Sequence, residues 1–262
     1  MRKITILITA IILVLSLAVP AKALTVDEII DKANLTSYYA GADGMSDVKM
    51  TITDSQGRQR FREFRILRLN VKEGAAQKFY IYFKKPSDVA AMTYMVWKQT
   101  GRDDDRWLYL PALDLVRRIA SSDKRSSFVG SHFVYEDVSG RGVQADVHEL
   151  VEEIDGLYKI KNTPKESRGV EFKYYFVWID KQNFMPMKAE YYNAQNKLIR
   201  TIEAVEIQDI QGYPTVVKSK TVDLERAGET LMEFSNISYD VGLTDNIFKE
   251  RYLRKAPSQW IE

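Results

Sequence analysis

The chain has 262 residues, with 38 Lys and Arg against 36 Asp and Glu, a net charge of +2, two histidines and no cysteine. That balance builds no basic footprint for nucleic acid. The absence of thiols excludes disulfides and thiolate metal sites.

Arg2 and Lys3 precede an almost wholly apolar run, Ile4 to Val19, and Ala21-Lys22-Ala23 places small residues at the two positions a signal peptidase reads. The run is short for a membrane span. The pattern predicts a signal peptide over residues 1–23, cleaved after Ala23, and a single domain over residues 24–262. The mature portion keeps 239 residues, enough for a sizeable core. Cleavage removes Arg2, Lys3 and Lys22 but no acid, so the net charge of +2 becomes −1. An exported chain without disulfides points to a bacterial periplasm.

The first element expected is a helix. Thr25 and Glu28 have capping-box spacing, and Val26, Ile29, Ile30 and Ala33 recur at helical period. From there the period becomes two. Strands are expected around Val48–Thr53, Arg58–Leu69, Phe79–Phe83, Met92–Lys98, Trp107–Leu110 and Leu115–Ala120. They continue at Phe172–Ile179, Pro186–Tyr192, Lys197–Ile207, Val216–Leu224 and Thr230–Ile237. Asp146–Ile154 fits helix or strand, and Thr244–Leu253 reads as a closing helix that docks Phe248 and Leu253. The fold class is mainly β with some α. About ten antiparallel strands joined by hairpins curl into an unclosed barrel, its concave face covered by the first helix and the Phe128–Asp137 turn.

Such a face, lined by Phe, Trp, Tyr and Met, suits a lipid-sized guest. Burying about 15 methylenes at about 0.8 kcal/mol each is worth on the order of 12 kcal/mol relative to water, and almost nothing relative to a membrane. A carrier needs that balance to load and to release. The expected wall is Phe79, Phe83, Trp107, Tyr109, Phe176 and Trp178, and a charge at Phe176 is expected to abolish cargo binding. Trp107 and Tyr109 equally suit an ordinary core. Arg117, Arg118 and Arg125 are placed at the mouth, facing head groups or a partner. Arg118 and Asp137 can also pair with each other.

Chemistry-bearing constellations are few. His132 and His148 have no partner His or Cys at ligand spacing. Asp103-Asp104-Asp105 lacks the glycine-spaced loop of a calcium site and reads as a solvated turn. Ser131 beside His132 lacks the two-glycine elbow of a nucleophile. No catalytic residue, metal or cofactor is expected.

The block Trp107–Leu113 (WLYLPAL), the pair Arg117-Arg118, the block Phe128–Asp137 (FVGSHFVYED) and the closing Ile247–Leu253 (IFKERYL) resemble the outer-membrane lipoprotein-sorting protein family. Its members resemble the periplasmic lipoprotein carrier of the Lol system. The resemblance spans essentially the whole mature chain, with Phe128, Ser131 and Asp137 among the family-motif positions. It implies helices plugging the mouth of an unclosed barrel and transport of lipids or lipidated proteins across the periplasm toward the outer membrane. Partners would be acyl chains, an outer-membrane acceptor or an inner-membrane exporter of the RND type, with transient contact to a membrane surface and a monomeric carrier. In the Lol carrier an arginine on the sheet latches the lid through its backbone; Arg65, Arg117 and Arg118 are the candidates here. The rival reading is an adaptor for such a pump, its barrel solid with side chains and without a lipid cargo. The methionines at positions 45, 50, 92, 95, 185, 187 and 232 lean toward an adaptable apolar cavity.

Overall fold

Residues 23–261 are described by a computed structural model; the predicted signal peptide, apart from Ala23, lies outside them. The first helix, α1 (Val26–Tyr38), opens on the expected capping box. The Thr25 amide donates to Glu28 Oε2 at 2.7 Å, and the Glu28 amide donates to Thr25 Oγ1 at 3.3 Å. Two of the first turn's free N–H groups are thereby satisfied. Ile29 and Ala33, one turn apart, form its buried face.

Thirteen strands follow among the described residues. The first six are β1 (Asp43–Thr53), β2 (Gln59–Asn70), β3 (Gln77–Lys85), β4 (Thr93–Lys98), β5 (Asp105–Leu110) and β6 (Leu115–Arg118). A connection spanning residues 119–145 carries the short helix α2 (Tyr135–Ser139). The remaining strands are β7 (Asp146–Ile154), β8 (Leu157–Pro164), β9 (Tyr174–Asp180), β10 (Pro186–Tyr192), β11 (Leu198–Ile210), β12 (Tyr213–Asp223) and β13 (Gly228–Tyr239). Two single-turn helices, α3 (Arg251–Arg254) and α4 (Ser258–Ile261), close the described chain. The ambiguous segment at Asp146–Ile154 is therefore a strand, and β8, for which no strand was expected, pairs with it.

All the strands belong to one sheet in the order β6-β5-β4-β3-β2-β1-β13-β12-β11-β10-β9-β8-β7, and every neighbouring pair is antiparallel. The first and last strands meet in the middle, and the edges, β6 and β7, are not paired with each other. The sheet is an unclosed barrel.

This order fixes the lid. β6 and β7 are consecutive in the chain yet lie at opposite edges, so residues 119–145 must cross from one edge to the other. They cross the inner face, where Phe128, Phe133 and Tyr135 pack with Phe64, Phe83 and Tyr94. Phe128 is fully buried, with ring contacts to Phe64, Phe83 and Tyr94. Helix α1 covers the other half of that face, its Ile29 and Ala33 on Ile160 of β8 and Ile179 of β9. The outer face of β2–β6 is a second core. There Leu67, Tyr80, Met95 and Trp107 lie under Leu243, Ile247, Phe248 and Leu253 of the C-terminal segment.

Candidate functional site: a lidded cavity on the inner face

Alternation along each strand sends one set of side chains inward. The inward set of β2, β3, β9, β11 and β13 includes Ile66, Phe79, Val177, Ile202 and Phe234, and these line a cavity of about 490 Å³. Residues of β3 and β9, far apart in the strand order, line the same cavity because the sheet wraps round it. Ile30, Ala33 and Ser37 of α1 roof one side, and Phe128, Phe133 and Val138 of the connection roof the other. Met45, Met185, Met187 and Met232 contribute flexible thioethers to the wall.

Two sets of polar contacts hold the roof. The first is Arg68 on β2, buried and facing the cavity. Its Nη1 donates to the Tyr38 carbonyl at 2.6 Å and to Asn70 Oδ1 at 2.9 Å, while Nη2 donates to the Ala40 carbonyl. Gln77 Nε2 adds a bond to the Tyr38 carbonyl at 2.7 Å. These carbonyls belong to the end of α1, where the last turn has no intrahelical donors and the helix dipole is negative. Burial pushes the Arg68 guanidinium below its ordinary pKa, and Tyr239, Asp43 and Asp240 pull it back. The charge is thus held next to carbonyls rather than a bonded carboxylate.

The second set is an ionic cluster, buried except at the exposed Glu171, that fastens the connection. Arg125 reaches Glu136 at 3.1 Å and Glu171 at 3.0 Å. Arg141 reaches Asp146 at 2.8 Å, and Tyr175 Oη donates to the same carboxylate at 2.8 Å. Asp137 pairs with Arg200 of β11. Burial drives the Glu136 carboxyl up, but Arg125, Arg141 and Lys124 outweigh it and hold it below the usual range. On the far side, Lys98 Nζ donates to the Ser139 carbonyl at 2.7 Å, and burial lowers its pKa to about 8. The two roof pieces touch at Gly140, where φ is +74° and a Cβ would stand 2.5 Å from the Tyr38 ring. No side chain fits there.

Of the expected wall, Phe79 lines the cavity. Phe83 is fully buried beneath it, against Phe64 and Phe128. The other four face away from it, which corrects the expectation. Trp107 and Tyr109 point to the outer face, under the C-terminal helices. Phe176 and Trp178 also point outward, where Lys159 lies over both rings; Tyr175, Val177 and Ile179 are the inward residues of β9. Strand β9 is aromatic on both faces, so composition did not reveal its parity.

The expected mouth arginines are corrected as well. Arg125 is buried in the ionic cluster, stacked over Phe172 and Tyr191. Arg118 is exposed, lies over the Trp107 ring and pairs with Asp105; it does not pair with Asp137. Arg117 is exposed, 3.8 Å from Asp123. Arg65 is on the outer face, bound to Asp47 and to the Trp260 carbonyl. The residue with latch geometry is Arg68. It shares its parity with Phe64 and Ile66, the one signal that could have found it. Of the motif positions, Phe128 lines the cavity, Asp137 anchors the connection, and Ser131 accepts from the Phe133 amide within the turn. The Asp103–Asp105 run is only partly solvated, since Asp104 binds the buried Arg106 at 2.6 Å. His132 Nδ1 lies 2.9 Å from Thr230 Oγ1, and His148 is held between Asn162 Oδ1 and the Val143 carbonyl. Among the described residues, no three His, Asp or Glu side chains are grouped as metal ligands.

An unclosed antiparallel barrel with a helix and a crossing segment over an apolar cavity is a fold of the LolA type. Residues 75–255 match a family described only as "uncharacterized protein". A DUF1329 family protein from Desulfovibrio piger superposes with a TM-score of 0.76 at 29% identity, over 86% of this chain and 97% of its own. A protein assigned as an outer membrane lipoprotein-sorting protein domain, from Vibrio parahaemolyticus, gives 0.79 at 26% identity, over 87% and 98%. A LolA superfamily protein from Nitrosomonas europaea shares the fold, with a TM-score of 0.67 at 19% identity, over 88% and 100%. No curated protein matches the chain. The chain belongs to the family matched over residues 75–255, has the LolA fold, and is similar to the lipoprotein-sorting domain from Vibrio parahaemolyticus.

Proposed function

We propose that the protein is a non-catalytic periplasmic carrier that shelters acyl chains of lipids or lipoproteins in its cavity and hands them on toward the outer membrane. The observation that carries the reading is the roofed cavity: an apolar interior under two roof pieces of different strength. The connection is fastened by buried ion pairs, whereas α1 is joined to the sheet's polar groups chiefly through Arg68 and Gln77 at its last carbonyls. Removing α1 would open the cavity without dismantling the ionic cluster. The apolar interior offers a chain about what a membrane offers, so loading and release are both reachable. The neighbour described as a lipoprotein-sorting domain supports the cargo class. The exporter of the RND type is proposed as partner on the resemblance alone.

The test is native mass spectrometry with lipid extraction on the protein purified from a periplasm without detergent. A stoichiometric lipid or acylated peptide supports the carrier. A protein that is empty and also refuses a fluorescent fatty-acid probe favours the pump-adaptor role.

A further inference from the structure

We infer that the two free edges of the sheet pair between copies of this chain, β7 of one against β6 of the next. Among the described residues, each of these strands has a neighbour on one side only. The other side presents open backbone N–H and C=O groups, a template for a further strand. Shortness or proline ordinarily blunts such an edge. β7 is nine residues long and has no proline. It also exposes Val147 at 57%, Val151 at 48% and Ile154 at 42%.

Charge decides which strand can be added. β7 carries Glu149, Glu152 and Glu153 and no Lys or Arg, whereas β6 carries Arg117 and Arg118 and no acid. Two β7 edges would set carboxylate against carboxylate, and two β6 edges guanidinium against guanidinium. Unlike edges attract, so repulsion and attraction select the same pairing. A net charge of +2 over 262 residues adds little general repulsion between copies.

Direction and parity agree with this pairing. Thirteen strands that alternate in direction give the first and the last the same direction, so β6 and β7 run the same way. A copy added without turning over therefore pairs them in parallel, with both inner faces on one side. Trp107 and Tyr109 lie on the outer face, and their partners on β6 are Arg118 and Val116. Asp146 and His148 line the cavity, so Val147 and Glu149 of β7 face outward, ahead of the bulge between Leu150 and Glu152. Aligned in the same direction, Val116 meets Val147 and Arg118 meets Glu149. Arg118 pairs with Asp105 in its own chain, yet 67% of its side chain stays exposed.

The contact joins two different surfaces, so it repeats from copy to copy into a row or a ring. With four residues in β6 it is small, and the assembly is a weak one that depends on concentration. The contact lies outside the cavity lining and does not depend on what the cavity carries.

Sedimentation velocity on the protein purified from a periplasm should show mass rising with concentration and falling back in high salt. Glu149→Lys sets a lysine against Arg118 of the next copy and should weaken association at least about tenfold. Its circular dichroism and lipid-probe binding should match wild type. The chain has no cysteine, so Val116→Cys and Val147→Cys each carry a single thiol and leave both charges in place. A short bis-maleimide should link these two variants to each other when mixed, and neither to itself. A chain carrying both substitutions should give a ladder of linked copies. A wild-type protein that stays monomeric at every concentration would overturn the inference. So would self-linked dimers of either single-thiol variant, a link closed within one chain of the double variant, or undiminished association in Glu149→Lys.

Discussion

Arg68 on β2 donates to the carbonyl of Tyr38, thirty positions earlier in the chain, at 2.6 Å. The bond joins the sheet to the end of the helix that roofs the cavity. Arg68→Met should leave the Tyr38 and Ala40 carbonyls short of donors, each at about 1–3 kcal/mol. The effect should be local: faster amide exchange across residues 26–40, unchanged protection in β12 and β13, and quicker transfer of a bound lipid probe to vesicles. Arg68→Lys should fall between, since an ammonium lacks the planar fork that reaches two carbonyls at once. Undiminished protection of α1 in Arg68→Met would show that its apolar face alone holds it down.

The connection should respond differently, because its fastening is ionic and buried. Removing Arg200 from its pair with Asp137 leaves that carboxylate only the Val134 amide and the longer 3.9 Å pair with Arg125, and breaking a buried pair costs up to about 3–5 kcal/mol. For a domain of this size that lowers the melting temperature by on the order of 10 °C. Arg200→Met alone should therefore be strongly destabilising. Arg200→Met combined with Asp137→Leu should recover most of the loss, since an apolar pair of similar volume avoids the desolvation cost. Calorimetry on the four proteins measures the coupling, and additive losses in the double variant would dismiss the pair as an anchor.

The contrast between Arg68 and the arginines singled out from sequence shows where sequence reading ends. Hairpins were legible wherever a turn interrupted an alternating run, and α1 was legible from Thr25 and Glu28. β7 was obscured by its charges, Glu149, Glu152 and Glu153, and β8 was missed. Yet Asp155-Gly156 adopts positive φ at both positions and joins Ile154 to Leu157, the Asp-Gly signal of a two-residue hairpin. Parity was the deeper difficulty. β2 carries apolar residues on both faces, Phe64 and Ile66 inward and Leu67 and Leu69 outward, because the C-terminal helices give the sheet a second core. With both faces apolar, alternation no longer says which arginine looks inward. The pairing of Asp137 with Arg200, 63 residues away, depends on the connection crossing the whole sheet, a relation that no local pattern encodes.

Lys98 predicts a rise of stability with alkalinity. Burial lowers its folded pKa to about 8, from an ordinary 10.5. Between those values the unfolded chain binds the proton and the folded chain does not, so stability increases as pH climbs through that window. The buried tyrosines act in the opposite sense. Tyr94 and Tyr38 are pushed well above 10 by burial, and their contribution is lost once the unfolded chain ionises above pH 10. Urea midpoints should therefore rise from pH 8 to about 10 and then fall. Lys98→Met should abolish the rise, whatever its effect on absolute stability. A rise that survives in Lys98→Met would assign it to another group.

Adjacent residues of β9 supply the sharpest test of the site. Val177 lines the cavity and Phe176 does not; Phe176 lies on the outer face with Tyr174 and Trp178, under Lys159. Val177→Glu places a carboxylate among apolar walls, where an unpaired charge is costly beside an acyl chain, and should abolish binding of a fluorescent fatty acid. Phe176→Glu sets the same charge beside a lysine on the solvent side and should bind as wild type, with at most a modest loss of stability from the broken ring contacts. Each variant controls for the other: both add one acid to the same strand, and only the direction of the side chain differs. Circular dichroism confirms that both are folded before binding is compared. Loss of binding in Phe176→Glu with retention in Val177→Glu would place the acyl site on the outer face of the sheet and empty the cavity of its proposed role.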